Sequence, residues 1–213
     1  MAGTILLIRH GETAWNREKV FRGIHDVPLN DNGRTQAVLA ARALAERRID
    51  AAYTSPLSRA RETAEIVLAP HGVPAIVHSG LIDFNYGDWT GVADAAVAAK
   101  WPREHAVWNT TPHLAQPPGG DTLARVSARA EHALKEIVSR HADATVAVFA
   151  HRVINKLLVL MMLGLPLERF KFIRQDNCCV DEFAVAREGF TVFRINDTSH
   201  LRSGGADVLS ADF

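Results

Sequence analysis

At 213 residues the chain is long enough to bury a core of its own and needs no second domain. With 47% hydrophobic and 23% charged residues it is neither a disordered nor a fibrous sequence. Lys plus Arg equals Asp plus Glu at 24 each, so there is no overall positive field to hold nucleic acid or an anionic membrane surface, and any cationic site must be local.

Residues 4–8 form an apolar run without polar alternation, which predicts a strand buried on both faces, with Gly11 close behind it. Between positions 32 and 48, Ala37, Ala40, Ala41 and Leu44 recur at helical spacing, and Arg47 and Arg48 suit the negative C-terminal end. Residues 51–54 read as a second strand, and Ser55 with Pro56 as an N-cap and first-position pair opening a helix through about Leu68. A short strand is predicted at 74–78, a loop at 83–91, and a helix at 92–100. The stretch 101–120 holds Pro102, Pro112, Pro117, Pro118, Gly119 and Gly120 and has no clear period. Residues 92–120 are therefore read as a lid or insertion on a single domain spanning 1–213.

From Asp121 onward, Leu123, Val126, Ala130, Ala133, Leu134 and Ile137 mark one face of a long helix, capped by Asp121 or Thr122. A buried strand follows at 145–150, then a helix at 154–163 stopped by Gly164 and Pro166. Strands at 180–186 and 190–195 suggest a hairpin at a sheet edge, and the tail after Leu201 is expected to be loose. The alternation predicts an α/β fold, a three-layer α/β/α sandwich with a mostly parallel central sheet. The adjacent cysteines, Cys178 and Cys179, form neither a disulfide framework nor a zinc spacing and suit a reducing cytoplasm. The apolar runs at 5–8 and 157–165 are too short for a signal segment or a membrane span, which predicts a soluble, untargeted protein.

The chemistry-bearing residues gather at predicted strand ends. Arg9, His10, Gly11, Glu12 and Thr13 follow the first strand, at the kind of edge where open α/β sheets bind ligands. A lone loop histidine is as often a structural residue, but His151 follows directly on the 145–150 strand, so two parallel strands would bring two imidazoles to one edge. Arg59 lies in the first turn of the helix after Ser55, the end whose free N–H groups favour anions.

These residues sit in a set of ordered motifs. They are Leu7 through Asn16, Asp26 Val27 Pro28 Leu29, Gly33 through Ala37, Ser55 through Ala60, Gly87 Asp88 Trp89 Thr90 Gly91, Gly119 Gly120 Asp121 Thr122, Ala150 His151, and Asn196 through Leu201. Over nearly the whole chain they resemble the histidine phosphatase superfamily, which includes the cofactor-dependent phosphoglycerate mutases. The resemblance implies a nucleophilic His10, a phosphate clamp of Arg9, Arg59 and His151, and Asp83 as general acid. It adds Asn16, Arg22 and Gly23 as substrate-binding positions, to which Arg152 is added as a candidate of this sequence's own, and it calls for no metal and no cofactor. It also implies a small-molecule phosphate ester as partner; the balanced charge leaves out nucleic acid and membrane, the cysteines point to a cytoplasmic location, and room is left for a homodimer.

Two positions depart from the family pattern. Asp83 stands where the family usually has Glu, one methylene longer, and Asp88 is the fallback acid. Arg152 stands where the family generally has Gly, and its side chain is either solvated or an added cation for an acidic part of the substrate. Hydrolysis is favoured over mutase-type phosphotransfer because the stretch from Asp83 to His151 is short for a mutase. A non-catalytic phospholigand-binding module is the rival of another class.

Overall fold

The computed structural model describes residues 3–207. Its regular elements are β1 (Thr4–Arg9), α1 (Ala14–Arg17), α2 (Asp31–Leu44), β2 (Ala51–Thr54), α3 (Ser58–Leu68), β3 (Ala75–Val77), α4 (Asp94–Lys100), α5 (Pro102–Thr110), α6 (Leu123–Arg140), β4 (Thr145–Ala150), α7 (Arg152–Met162), β5 (Val180–Ala186), β6 (Gly189–Asp197) and α8 (Ser199–Ser203). The strands form one sheet in the order β3-β2-β4-β1-β5-β6. The first four are mutually parallel, while β5 and β6 run antiparallel as an edge hairpin. None of the helices among the described residues is long and apolar enough to cross a membrane.

Successive side chains of a strand point to opposite faces, and the central strands use both. Ile5, Leu7, Val146 and Val148 pack with the apolar faces of α6 and α7, whereas Leu6, Ile8, Ala147 and Phe149 pack with α2 and α3. That division is why β1 and β4 read as unbroken apolar runs, and it makes the three layers. Thr122 caps α6, its Oγ1 accepting from Arg125 N at 3.3 Å.

Three local expectations change. Ser55 and Pro56 do not open α3, which begins at Ser58 with Leu57 at its N-cap, and the Ser55 hydroxyl is engaged elsewhere. The aperiodic 101–120 stretch contains α5, started by Pro102; Trp108 is its one buried residue, so no apolar period exists to be read. Finally, the tail beyond Leu201 is not loose as far as Asp207, whose main-chain oxygen accepts from Asn32 Nδ2 and Gln36 Nε2, and whose carboxylate pairs with Arg17. The expectation for 208–213 lies outside the described residues.

Candidate active site

The parallel register aligns three strand ends. Arg9 pairs with Ala150, and Thr54 with Phe149. The next residues continue the ladder, His10 N donating to Ala150 O at 3.0 Å and Ser55 N to Phe149 O at 3.0 Å. His10 and His151 therefore leave adjacent strands side by side, their ring centroids 5.2 Å apart.

Each ring is oriented by one bond. His10 Nδ1 lies 2.6 Å from Gly11 O, a group that can only accept, so the proton is on Nδ1 and the Nε2 lone pair is available. His151 Nε2 lies 2.7 Å from Ser55 Oγ, the hydroxyl expected to cap α3. Both imidazoles are held well below their ordinary pKa, first by burial and then by neighbouring charge, led by Arg59 for each ring. They are neutral at physiological pH.

Arg9 and Arg59 are fully buried. Arg9 Nη1 donates to Gln175 O at 2.6 Å. Arg59 comes from the first turn of α3 and is braced by the carbonyls of His25 and Gly23 at 2.8 and 2.7 Å. Gly23 adopts φ +51, and a Cβ there would collide with Phe84 O, so only glycine brings this carbonyl to Arg59. Gly11 N donates to Thr63 Oγ1 at 3.1 Å, tying the loop after β1 to α3. Asn16 is buried in α1, which follows that loop, its Oδ1 accepting from the amide and hydroxyl of Thr13 at 2.9 Å each.

The carboxyl of Asp83 approaches this cluster from a loop. Its Oδ2 is 3.4 Å from Arg59 Nη2 and 3.9 Å from His151 Nδ1, while its buried Oδ1 makes no hydrogen bond. His10, Arg22, Gly23, Asp83, Tyr86 and Arg152 line one pocket together with Val20, Phe21 and Val153. Asp88 is exposed and does not line it. Sequence reasoning missed Tyr86, whose hydroxyl bonds to Arg152 and is pushed up to about 12 by burial.

Sequence reasoning also missed the support behind His10. Asn177 Nδ2 and Cys178 N both donate to His10 O, at 3.1 and 3.3 Å, and Cys179 O accepts from Arg9 N at 3.3 Å. Gln175 is held in turn by the buried Asp181, whose two oxygens accept from Gln175 Nε2 at 2.8 and 2.7 Å. Burial raises Asp181 to about 7.

This arrangement can seat a dianion among guanidinium groups, present a neutral imidazole lone pair to it, and hold a carboxyl within reach. Among the described residues no group of three or more His, Cys, Asp and Glu side chains is placed to hold a metal ion.

Comparison with known proteins agrees with that chemistry. A family model described as the histidine phosphatase superfamily (branch 1) matches residues 5–198. Phosphoserine phosphatase 1 of Hydrogenobacter thermophilus is 30% identical over 197 residues, covering 92% of this chain and 93% of that protein. A 2,3-bisphosphoglycerate-dependent phosphoglycerate mutase of a Chelativorans species is 35% identical over 173 residues, covering 78% and 84%. Among solved structures, Bacillus stearothermophilus YhfR superposes with a TM-score of 0.90 at 33% identity, covering 94% of this chain and all (100%) of that one. A mycobacterial glucosyl-3-phosphoglycerate phosphatase superposes with a TM-score of 0.84 at 26% identity, covering 93% and 100%.

Proposed function

Because the chain belongs to branch 1 of the histidine phosphatase superfamily, enzymes of small phosphorylated metabolites, we propose that it is a metal-independent phosphomonoesterase working through a phosphohistidine at His10. The observation that carries this reading is the neutral His10 ring. Its proton is committed to Gly11 O, and it stands beside His151 among buried arginines.

In the first step His10 Nε2 forms a bond to phosphorus while the P–O ester bond breaks, and Asp83 in its acid form gives its proton to the departing oxygen. In the second, Asp83 as carboxylate takes a proton from water, whose oxygen attacks the phosphohistidine and releases inorganic phosphate and a free ring. Arg9, Arg59 and His151 hold the equatorial oxygens, with Asn16 as an accessory ligand, and the two guanidinium charges supply the neutralisation a metal would otherwise give.

Arg22 and Arg152 line the pocket beside Gly23 and Asp83. Phosphorylated small acids are the substrate class we favour, since the names of the relatives, phosphoserine phosphatase and phosphoglycerate mutase, both lie in it. Residues 92–120 support the pocket wall from behind, α5 bringing Trp108 against Tyr86 and Phe84 with ring centroids 5.3 Å apart in each case.

Incubation with a phosphorylated acid should label the enzyme with phosphate that is acid-labile and base-stable, the label should vanish in His10→Ala, and turnover should survive exhaustive chelation. An alkali-labile serine ester, or activity restored only by magnesium, would overturn the proposal. The same assay with added bisphosphoglycerate separates hydrolysis from mutase turnover, and release of no phosphate from any ester would leave a binding module.

A further inference from the structure

Asp83 is carried by a connection and not by a strand end. It follows the helical turn Ser79–Leu81, and among the described residues its carboxyl is met by the 3.4 Å contact to Arg59 and the longer approach to His151. What fixes its main chain is a residue on α6. Arg129 Nη1 donates to Gly80 O at 2.9 Å and to Ile82 O at 2.6 Å, and Nη2 donates to Asp83 O at 3.2 Å. Arg129 does not line the pocket that holds His10; it lines a separate groove with His78, Ser79, Gly80 and Glu136.

We propose that Arg129 is a positioning residue for proton transfer, setting the main-chain position from which the Asp83 carboxyl reaches the leaving oxygen. The proposal rests on the reading of Asp83 as general acid. A planar guanidinium with donors in a fixed fork can engage three carbonyls of one short segment, which an ammonium cannot do with the same geometry. The short aspartate makes that placement matter. With one methylene fewer than glutamate, the carboxyl has less torsional freedom to correct a shifted backbone, and a misplacement of about 1 Å at a catalytic group can cost about 100-fold in rate. The carboxyl's own anchorage is slight, a 3.4 Å bond from Arg59 Nη2 to Oδ2, with no hydrogen bond to Oδ1 among the described residues.

The test is the leaving-group dependence of the phosphorylation step, measured before the first turnover ends with an alkyl phosphate and with p-nitrophenyl phosphate. In Arg129→Gln the alkyl rate should fall by about 10- to 100-fold more than the nitrophenyl rate, because an alkoxide needs the proton and a nitrophenolate hardly does. Arg129→Lys should fall between wild type and Arg129→Gln, and it carries the test if the glutamine variant fails to fold. Adding Arg129→Gln to Asp83→Asn should cost nothing further on the alkyl ester. Equal losses on both esters, or additive losses in the double variant, would make Arg129 a purely structural contact and overturn the proposal. If Asp83→Asn itself leaves the ratio of the two esters unchanged, the reading of Asp83 has failed, a result recognisable without any Arg129 variant.

Discussion

The two halves of the site are built in different ways. The phosphate half hangs from the centre of the sheet: His10, Ser55 and His151 continue β1, β2 and β4 in register, and His10 is hydrogen-bonded through its own main chain to Ala150 and the 177–178 backing. The acid half is a loop pinned from outside. Asp83 is placed by the Arg129 fork and by aromatic packing of its neighbour Phe84 against Tyr86 and Trp108, with centroids 4.8 and 5.3 Å apart. Main-chain register gives the first half a position that few side-chain changes can alter, whereas the second depends on particular side chains and responds to them by degrees.

The largest effect that separates the halves is expected from Asp83→Asn. Hydrolysis of alkyl phosphates should fall by about two to four orders of magnitude, while phosphorylation by p-nitrophenyl phosphate suffers much less. Rapid-quench measurement should then show a burst of nitrophenol followed by slow turnover, since the same carboxylate is proposed to activate water in the second step. Equal losses in the phosphorylation rate for both esters would erase the distinction between the halves.

A smaller effect concerns the phosphate half alone. Burial and arginine charge lower the pKa of His10 and His151 in the folded state. The unfolded chain takes up protons near the ordinary value of about 6.5, so their stability contribution is complete above that pH and is lost as pH falls toward the folded values. Asp181 acts with the opposite sign. Its folded pKa is raised by burial to about 7, so it binds a proton more tightly folded than unfolded and its contribution declines as pH rises toward 7. Comparison of wild type with His10→Gln isolates the histidine term: the variant should gain stability relative to wild type as pH is lowered from about 6.5 to 5, by up to about 1.4 kcal/mol per pH unit. Urea melts across that range check it, and a pH-independent difference would mean that His10 is not held neutral.

The smallest effect is a control on the acid half. Thr122→Ala removes the α6 cap and should cost about 1 kcal/mol of stability, yet leave the ratio of alkyl to nitrophenyl phosphorylation rates unmoved, because the bond it removes, from Arg125 N to Thr122 Oγ1, lies within the start of α6 while the Asp121 bonds to Asn85 are kept. A shift in that ratio would show that general loosening of α6, and not the Arg129 fork, governs the acid.

The same division decides what could be read beforehand. Arg9, His10 and His151 were legible because an apolar run ending in a charged residue marks a strand end wherever it occurs, and parallel pairing then brings such ends together. Asp83 was visible only through motif resemblance, since a carboxylate in a glycine-bearing loop has no distinguishing local pattern. Gln175 and Asn177 carried no signal, because their partners Arg9 and His10 are 166 and 167 residues away in sequence. Ser55 misled for a physical reason: serine before proline is a good helix opener, but here its hydroxyl orients His151 and the helix starts three residues later, at Ser58. Arg129 stood among the polar positions of a long amphipathic helix, where an arginine is most often only a solvated charge.

Cys178 and Cys179 are the two cysteines of the chain, and they sit fully buried in the segment that backs His10 and Arg9. Burial pushes the Cys178 thiol up to about 12 and the Cys179 thiol well above its usual range, so neither carries appreciable thiolate in the folded state. An alkylating reagent reaches such buried thiols when that segment parts from Arg9 and His10. The rate of thiol modification is therefore a built-in clock for opening of the support behind His10, readable by mass and independent of any substrate.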